Sequence, residues 1–99
     1  MKDPKQCESI EEIRQCLDEL DLKIIELLGK RSDYIREIVN YKIEEKDIIA
    51  VERQREVLNL RRKWAKMNSI NPDLIEKLYR TLIEFNISKE RKILRNRRK

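Results

Sequence analysis

Charged side chains that interrupt apolar helical faces are the strongest candidates for chemistry in this sequence. Apolar residues recur at steps of three and four from Ile10 to Tyr41, which places them along one face of an α-helix. Arg31 occupies one position of that series, and Glu90 continues an apolar stripe that includes Ile83. Because burying a lone charge is costly, Arg31 predicts a negatively charged partner or ligand.

A set of inward-facing polar residues could bind one small anion, and its members are Arg14, Arg31, Lys42, Arg53 and Glu90. Arg31 and Lys42 share a helix face to within about 20°. Arg14 lies roughly 25 Å from Arg31 along the axis, so one chain cannot bring both to one small molecule. In an antiparallel dimer, Arg14 of one chain would lie near Arg31 of the other. Two arginines and a lysine would suit a small dicarboxylate, because guanidinium binds carboxylate bidentately. For Arg14, Lys42 and Arg53 taken singly, the pattern favours surface residues that snorkel or pair with nearby acids, whereas for Arg31 and Glu90 it favours a functional role.

The residue types exclude several kinds of catalysis. The chain of 99 residues has no histidine, and its two cysteines, Cys7 and Cys16, do not match the common zinc patterns. It also lacks a nucleophilic constellation and a glycine-rich phosphate loop, so no metal or cofactor is expected. A pericyclic rearrangement or elimination remains possible, because positioning and charge stabilisation suffice for it. We expect reduced thiols, a cytoplasmic location, no signal peptide and no membrane segment.

An all-α fold of three helices in a single domain over residues 1–99 is predicted. One glycine, two prolines and 43% charged residues favour long helices, each with one buried face. After a lead-in over residues 1–8, the first helix begins at a capping box, in which Ser9 accepts from Glu12 and Glu12 reaches back to Ser9. It continues to residue 42 or 43. The charged residues 44–47 form either a loop or a frayed helical end.

Two further helices follow, over residues 50–67 and 72–94. Asn71 is a good N-cap, and Pro72 suits the first helical position. The predicted inner face of the second helix contains Val51, Val57, Leu58, Trp64 and Ala65. The predicted stripe of the third contains Ile75, Tyr79, Leu82, Ile83, Ile87 and then Glu90. The basic tail, residues 95–99, is expected to be disordered.

The length of the first helix predicts association with a second copy of the chain. The helix would be about 50 Å long, whereas a compact domain of this size has a radius of gyration near 13 Å. A second chain packed antiparallel would cover the overhanging apolar face. The alternative is a kink near Gly29 that folds the helix back on itself.

Short motifs in a fixed order carry a family resemblance over nearly the whole chain. They are Ile13-Arg14, Leu17-Asp18, Leu20-Asp21, Leu28-Gly29-Lys30-Arg31, Asp33-Tyr34, Lys42, Glu52-Arg53, Trp64-Ala65 and residues 83–90. The chain resembles the all-helical chorismate mutases and, within them, the isochorismate-pyruvate lyases of salicylate biosynthesis. The lead-in, with Pro4 and Cys7, is more similar to the lyases. The resemblance implies an intertwined homodimer of three-helix chains with two equivalent sites.

The resemblance also implies roles for individual residues. Arg14 of the partner chain and Arg31 would each bind one substrate carboxylate, and Lys42 would donate to the ether oxygen that is released. Arg53 would hold the ring side of the substrate, and Ile87 would form part of the apolar wall. Glu90 stands where well-known bacterial members have glutamine, and a glutamate donates to the ether oxygen only when protonated.

A second departure from the family bears on the choice of reaction. Gln54 stands where typical bacterial mutases have a glutamate that contacts the ring hydroxyl of chorismate. Its absence favours conversion of isochorismate to salicylate and pyruvate, because that substrate carries its hydroxyl elsewhere on the ring. The alternative within the family is chorismate mutase, which makes prephenate.

Outside catalysis, the alternatives are a basic helical nucleic-acid binder and a non-catalytic dimerisation module. The net charge of +5 suits an anionic ligand without requiring nucleic acid, and the basic residues are spread over the whole chain. We therefore expect a dicarboxylate substrate and no nucleic-acid or membrane partner.

Overall fold

The structure is a computed structural model that describes residues 1–42 and 44–97. Its regular elements are α1 (Ile10–Ile38), α2 (Glu45–Ile49), α3 (Val51–Met67) and α4 (Pro72–Arg97), with 3-10 turns at Pro4–Gln6 and Val39–Tyr41. The prediction of an all-α fold with a long first helix is confirmed, but α1 ends at Ile38 and gives way to the second 3-10 turn instead of continuing to residue 42 or 43. The chain divides into two compact units, Met1–Tyr34 and Ile35–Lys99. The single domain over residues 1–99 stays a prediction.

The lead-in is tied to the first turn of α1 through Glu12. The Oγ atom of Ser9 accepts from the Glu12 amide at 3.1 Å, as predicted. The predicted return bond to the Ser9 amide is wrong, because the Glu12 carboxylate accepts instead from the amide of Glu8 at 2.8 Å. Lys2 Nζ also lies 3.2 Å from Glu12 Oε1. The hydrogen bond from Glu8 and the Lys2 ammonium hold the pKa of the Glu12 carboxyl below its usual range.

The two cysteines are free thiols and are partly buried. Desolvation, followed by the neighbouring Cys16 thiol, raises the pKa of Cys7 above its ordinary value. The Cys7 thiol also donates to the carbonyl of Asp3 at 3.9 Å.

The apolar face predicted for the first helix is present but uncovered in a single chain. Helix α1 passes through Gly29 without interruption, and none of its residues, all of which the structure describes, is buried. Leu17 is 51% exposed and Leu27 is 62% exposed. The same face exposes Ile10, Ile13, Leu20, Ile24, Tyr34 and Ile38. Monomeric proteins rarely leave so extended an apolar surface in water, so this face is suited to a binding partner.

Helices α3 and α4 pack together and contain most of the core of their unit. Val57, Leu58 and Ala65 are buried on α3, as predicted. The predicted burial of Val51 and Trp64 is wrong in the single chain, where they are 59% and 45% exposed. Val51 lies at the first position of α3, where its side chain stays uncovered. The ring of Trp64 instead stacks against the guanidinium of Arg61, 4.7 Å from its centroid.

Helix α4 begins and continues as its sequence predicts. Asn71 Oδ1 accepts from the amides of Asp73 and Leu74 at 2.8 and 3.4 Å, which confirms the predicted N-cap. The predicted stripe is half-buried at Ile75, Tyr79, Leu82, Ile83 and Ile87, and the residues of α4 that are buried are Asn86, Glu90 and Leu94.

The ends of the second unit differ from two expectations. Residues 45–49 form α2 rather than a loop or a frayed end, because Glu44 and Asp47 complete a reciprocal capping box. The tail predicted to be disordered is helical through Arg97, so that expectation is wrong for residues 95–97. Burial of Leu94 and a hydrogen bond from Arg97 to Asn40 hold this last turn. Residues 98 and 99 lie outside the described residues.

Candidate active site

The second unit contains a buried ion pair between two of the predicted site residues. Lys42 Nζ donates to Glu90 Oε1 at 2.8 Å. The Glu90 side chain is 5% exposed and that of Lys42 is 18% exposed. The prediction that an acid would interrupt the apolar face of the last helix is therefore confirmed for Glu90. Its carboxylate is satisfied by a cation from a distant part of the chain.

Local structure on both sides fixes this pair. The Val39–Tyr41 turn packs against α4, and its first residue, Val39, is fully buried. The Lys42 amide donates to the Val39 carbonyl at 3.1 Å, after which the backbone turns extended at Lys42. Glu90 lies on the buried face of α4, one turn after Asn86 and one turn before Leu94. The two side chains thus meet because a turn and a helix face are each anchored by buried residues.

The pair has the chemistry needed to act on a carbon–oxygen bond. The Lys42 ammonium can donate a hydrogen bond to an ether or carboxylate oxygen, and its charge interacts strongly because the site excludes most water. Glu90 accepts hydrogen bonds when ionised and donates one when protonated. Because the ammonium has three N–H donors, a substrate oxygen can accept from Lys42 while Glu90 accepts from another of them.

Asn86 is a buried polar residue that was not among the predicted site residues. It is 9% exposed and lies four residues before Glu90, on the same face of α4. An amide set into the apolar stripe one turn from an acid was the signal that could have identified it. Its position makes it a candidate hydrogen-bonding group beside the ion pair.

The other predicted site residues have varied surroundings. Arg14 is exposed on α1, and Arg31 is half-buried on the same helix and interacts with neighbouring groups. Arg53 lies at the surface, where its Nη1 atom is 3.3 Å from Glu56. Ile87 is half-buried on α4. The structure brings Lys42 and Glu90 together, and the roles of the other four stay predictions.

Gln54 is held by the chain itself. Its Nε2 atom donates to the carbonyl of Ile49 at 2.6 Å, in a partly buried setting. Its backbone amide donates to the carbonyl of Ala50 at 3.0 Å. The amide side chain therefore closes the joint between α2 and α3.

Other features of the described residues lie apart from this pair. A cavity of about 220 Å³ is lined by Arg61, Trp64, Ala65, Asn68, Ile70, Ile75 and Tyr79. Among residues 1–42 and 44–97, no three His, Cys, Asp or Glu side chains are grouped to hold a metal ion. No helix in that part of the chain is long and apolar enough to cross a membrane.

The fold and the sequence together define the class of protein. Residues 13–96 match the family model of chorismate mutase type II, and the chain belongs to that family. It is also 34% identical over 98 residues to a protein of Pseudomonas aeruginosa named isochorismate pyruvate lyase. That similarity covers 99% of this chain and 97% of the Pseudomonas protein. The family resemblance noted in the sequence is confirmed.

Removing the cation of the buried pair should destabilise the fold. We expect Lys42→Met to lower the free energy of unfolding by about 2 kcal/mol, because the Glu90 carboxylate loses its partner while staying buried. Glu90→Gln should change it little, since an amide oxygen still accepts from Lys42. Urea denaturation at one fixed protein concentration measures both.

The chain offers a matched control for this comparison. Lys46 pairs with Glu44 at 3.3 Å, but the two side chains are 78% and 58% exposed. Lys46→Met should therefore change stability by less than about 0.5 kcal/mol. Equal effects of Lys42→Met and Lys46→Met would contradict a stabilising role for the buried pair.

Proposed function

We propose that the protein is an isochorismate pyruvate lyase, which converts isochorismate to salicylate and pyruvate without a cofactor. The observation that carries this proposal is the similarity, along nearly the whole chain, to a protein of that name. The Lys42–Glu90 pair supports it by supplying a hydrogen-bond donor in a setting shielded from water.

The reaction requires positioning and charge stabilisation more than acid–base chemistry. The bond between the ring carbon and the ether oxygen breaks while a hydrogen moves from the adjacent ring carbon to the methylene carbon of the enolpyruvyl group. Pyruvate therefore leaves and the ring becomes aromatic. Lys42 donates to the ether oxygen as negative charge develops there. Arg31 and the partner chain's Arg14 bind the two carboxylates, Arg53 holds the ring side and Ile87 contributes to the apolar wall. Glu90, in its neutral form, adds a second donor.

Chorismate mutase, which rearranges chorismate to prephenate, is the second candidate. The description of the matching family model favours it. Against it, the amide of Gln54 donates to the Ile49 carbonyl, at the position where typical bacterial mutases have a glutamate for the ring hydroxyl. A nucleic-acid binder is less well supported, because Arg91 and Arg97 on α4 are engaged with Glu45 and Asn40.

Assaying the purified protein with each substrate tests the choice. We expect isochorismate to give salicylate, followed by its fluorescence, at a higher kcat/KM than the loss of chorismate absorbance. A faster reaction with chorismate would favour the mutase. No turnover of either substrate would favour the non-catalytic dimerisation module.

The uncovered face of α1 supports an antiparallel homodimer with sites shared between chains. The face runs along a helix of 29 residues and leaves large apolar side chains in water. A second copy of the chain has an apolar face of the same length, and two such faces can pack against each other in a symmetric interface. In that dimer Arg14 of one chain approaches Arg31 of the other. We also propose that the reaction takes place in the cytoplasm and that the salicylate is used for siderophore synthesis.

Mixing two inactive variants tests the shared site. Arg14→Ala and Arg31→Ala should each lower kcat/KM by at least about 100-fold, because each removes a carboxylate ligand. After subunit exchange, their mixture should recover about a quarter of wild-type activity, since half of the dimers are mixed and each has one intact site. Lys63→Ala, at an exposed position of α3, is the control.

Two results would contradict the dimer. One is sedimentation at low micromolar concentration as a stable, folded monomer rather than at twice the chain mass. The other is a mixture of the two variants that stays inactive even though subunit exchange is demonstrated.

Replacing Glu90 by glutamine should raise the rate near neutral pH. Only a protonated carboxyl can donate to the ether oxygen, and the ionised form is also the one that pairs with Lys42. The amide introduced by Glu90→Gln always carries donors, so this variant should have a higher kcat than the wild type. The measurement is the rate of both proteins at saturating substrate and about pH 7. A Glu90→Gln variant that is no faster than the wild type would remove Glu90 as a donor.

A further inference from the structure

Helix α2 depends on its ends for stability. It has five residues, Glu45–Ile49, and a helix of one turn is unstable in water without tertiary support. Its first turn is closed by the capping box of Glu44 and Asp47. It packs against α4 through Ile48, which is 3% exposed, and through an ion pair of Glu45 with Arg91 at 2.8 Å.

The other end of α2 is closed by Gln54. Ala50 has φ 42° and ψ 62°, a left-handed conformation that ends the helix after Ile49. The Ile49 carbonyl therefore has no partner within so short a helix, and it accepts from Gln54 Nε2 at 2.6 Å. The backbone amide of Gln54 also bonds to the Ala50 carbonyl. Gln54 thus joins the end of α2 to the first turn of α3 by two hydrogen bonds.

Lys42 lies between two supports along the chain. On one side its amide bonds to Val39 in the turn that packs against α4. On the other side the backbone leads to the capping residue of α2, Glu44. A loosened α2 leaves Lys42 supported on one side, and a displacement of about 1 Å is enough to impair catalysis by a positioned group.

We propose that Gln54 is a positioning residue, which closes the joint between α2 and α3 and through it holds Lys42 against Glu90. This inference rests on the proposed function for its effect on turnover. It differs from a role in contacting the substrate ring, because the donor atoms of the amide face the chain's own carbonyl. The chemistry it needs is a hydrogen-bond donor at this position, which an ionised glutamate cannot supply.

Hydrogen exchange tests the structural half without any substrate. Amides of residues 44–50 should exchange about tenfold faster in Gln54→Leu than in the wild type at the same pH, as expected for loss of one hydrogen bond. Gln6→Glu, in the lead-in, should leave this segment unchanged. Unchanged exchange of residues 44–50 in Gln54→Leu would overturn the proposal, whether or not the wild type is an active lyase.

Kinetic measurements on Gln54→Glu test whether this residue affects turnover, because the charge of the introduced glutamate depends on pH. At about pH 7.5, Gln54→Glu should lower kcat about tenfold with a smaller change in KM, because Lys42 acts mainly as the bond breaks. The ratio of Gln54→Glu to wild-type kcat should rise as the pH falls toward about 4, because a glutamate with an ordinary pKa near 4.3 is then mostly protonated and can donate to Ile49. Gln54→Leu should show no such recovery.

The opposite result is equally clear. A Gln54→Glu variant that keeps full kcat with isochorismate and gains turnover of chorismate would show a side chain in contact with substrate, and would overturn the positioning role. If the wild type turns over neither substrate, the proposed function fails, and the exchange measurement alone decides whether Gln54 holds α2.

Discussion

The ion pair of Lys42 and Glu90 joins residues 48 positions apart and constrains the elements around it. A buried carboxylate requires a partner, so the turn before α2 has to lie against the buried face of α4. That arrangement in turn depends on Val39 and Leu94, whose burial anchors the two sides. The opposite charges of the pair offset part of the desolvation cost of placing both groups inside so small a core.

The first helix is subject to a different constraint. Its apolar residues are spaced for one continuous face, and that face is exposed in the single chain. The exposure of Leu17, Leu20 and Leu27 shows where the missing apolar contacts belong. In the proposed dimer, association supplies those contacts and also brings a second arginine to each site, so stability and substrate binding have one physical cause.

Two residues give this member of the family its own character. At the position where well-known bacterial members have glutamine, Glu90 forms a buried ion pair with Lys42. Where a glutamate is usual, Gln54 is engaged with the backbone at the end of α2. In the proposed mechanism, the first of these residues takes part in the chemistry of the site. The second residue, Gln54, joins the end of α2 to α3 by hydrogen bonds to the backbone.

Much of this protein was determined by local sequence. The helix positions, the N-caps at Ser9 and Asn71 and the apolar stripe of α4 follow from periodicity and capping chemistry, which act over a few residues. The burial of Glu90 was predicted for the same reason. The partner of Glu90, the one-turn helix α2 and the engagement of Gln54 were decided by tertiary structure, because each depends on groups that meet only when α4 packs against the segment after α1. The helical end of the chain at Arg97 has the same origin, since its local charge favours disorder while Leu94 and Asn40 provide contacts that no short stretch of sequence contains.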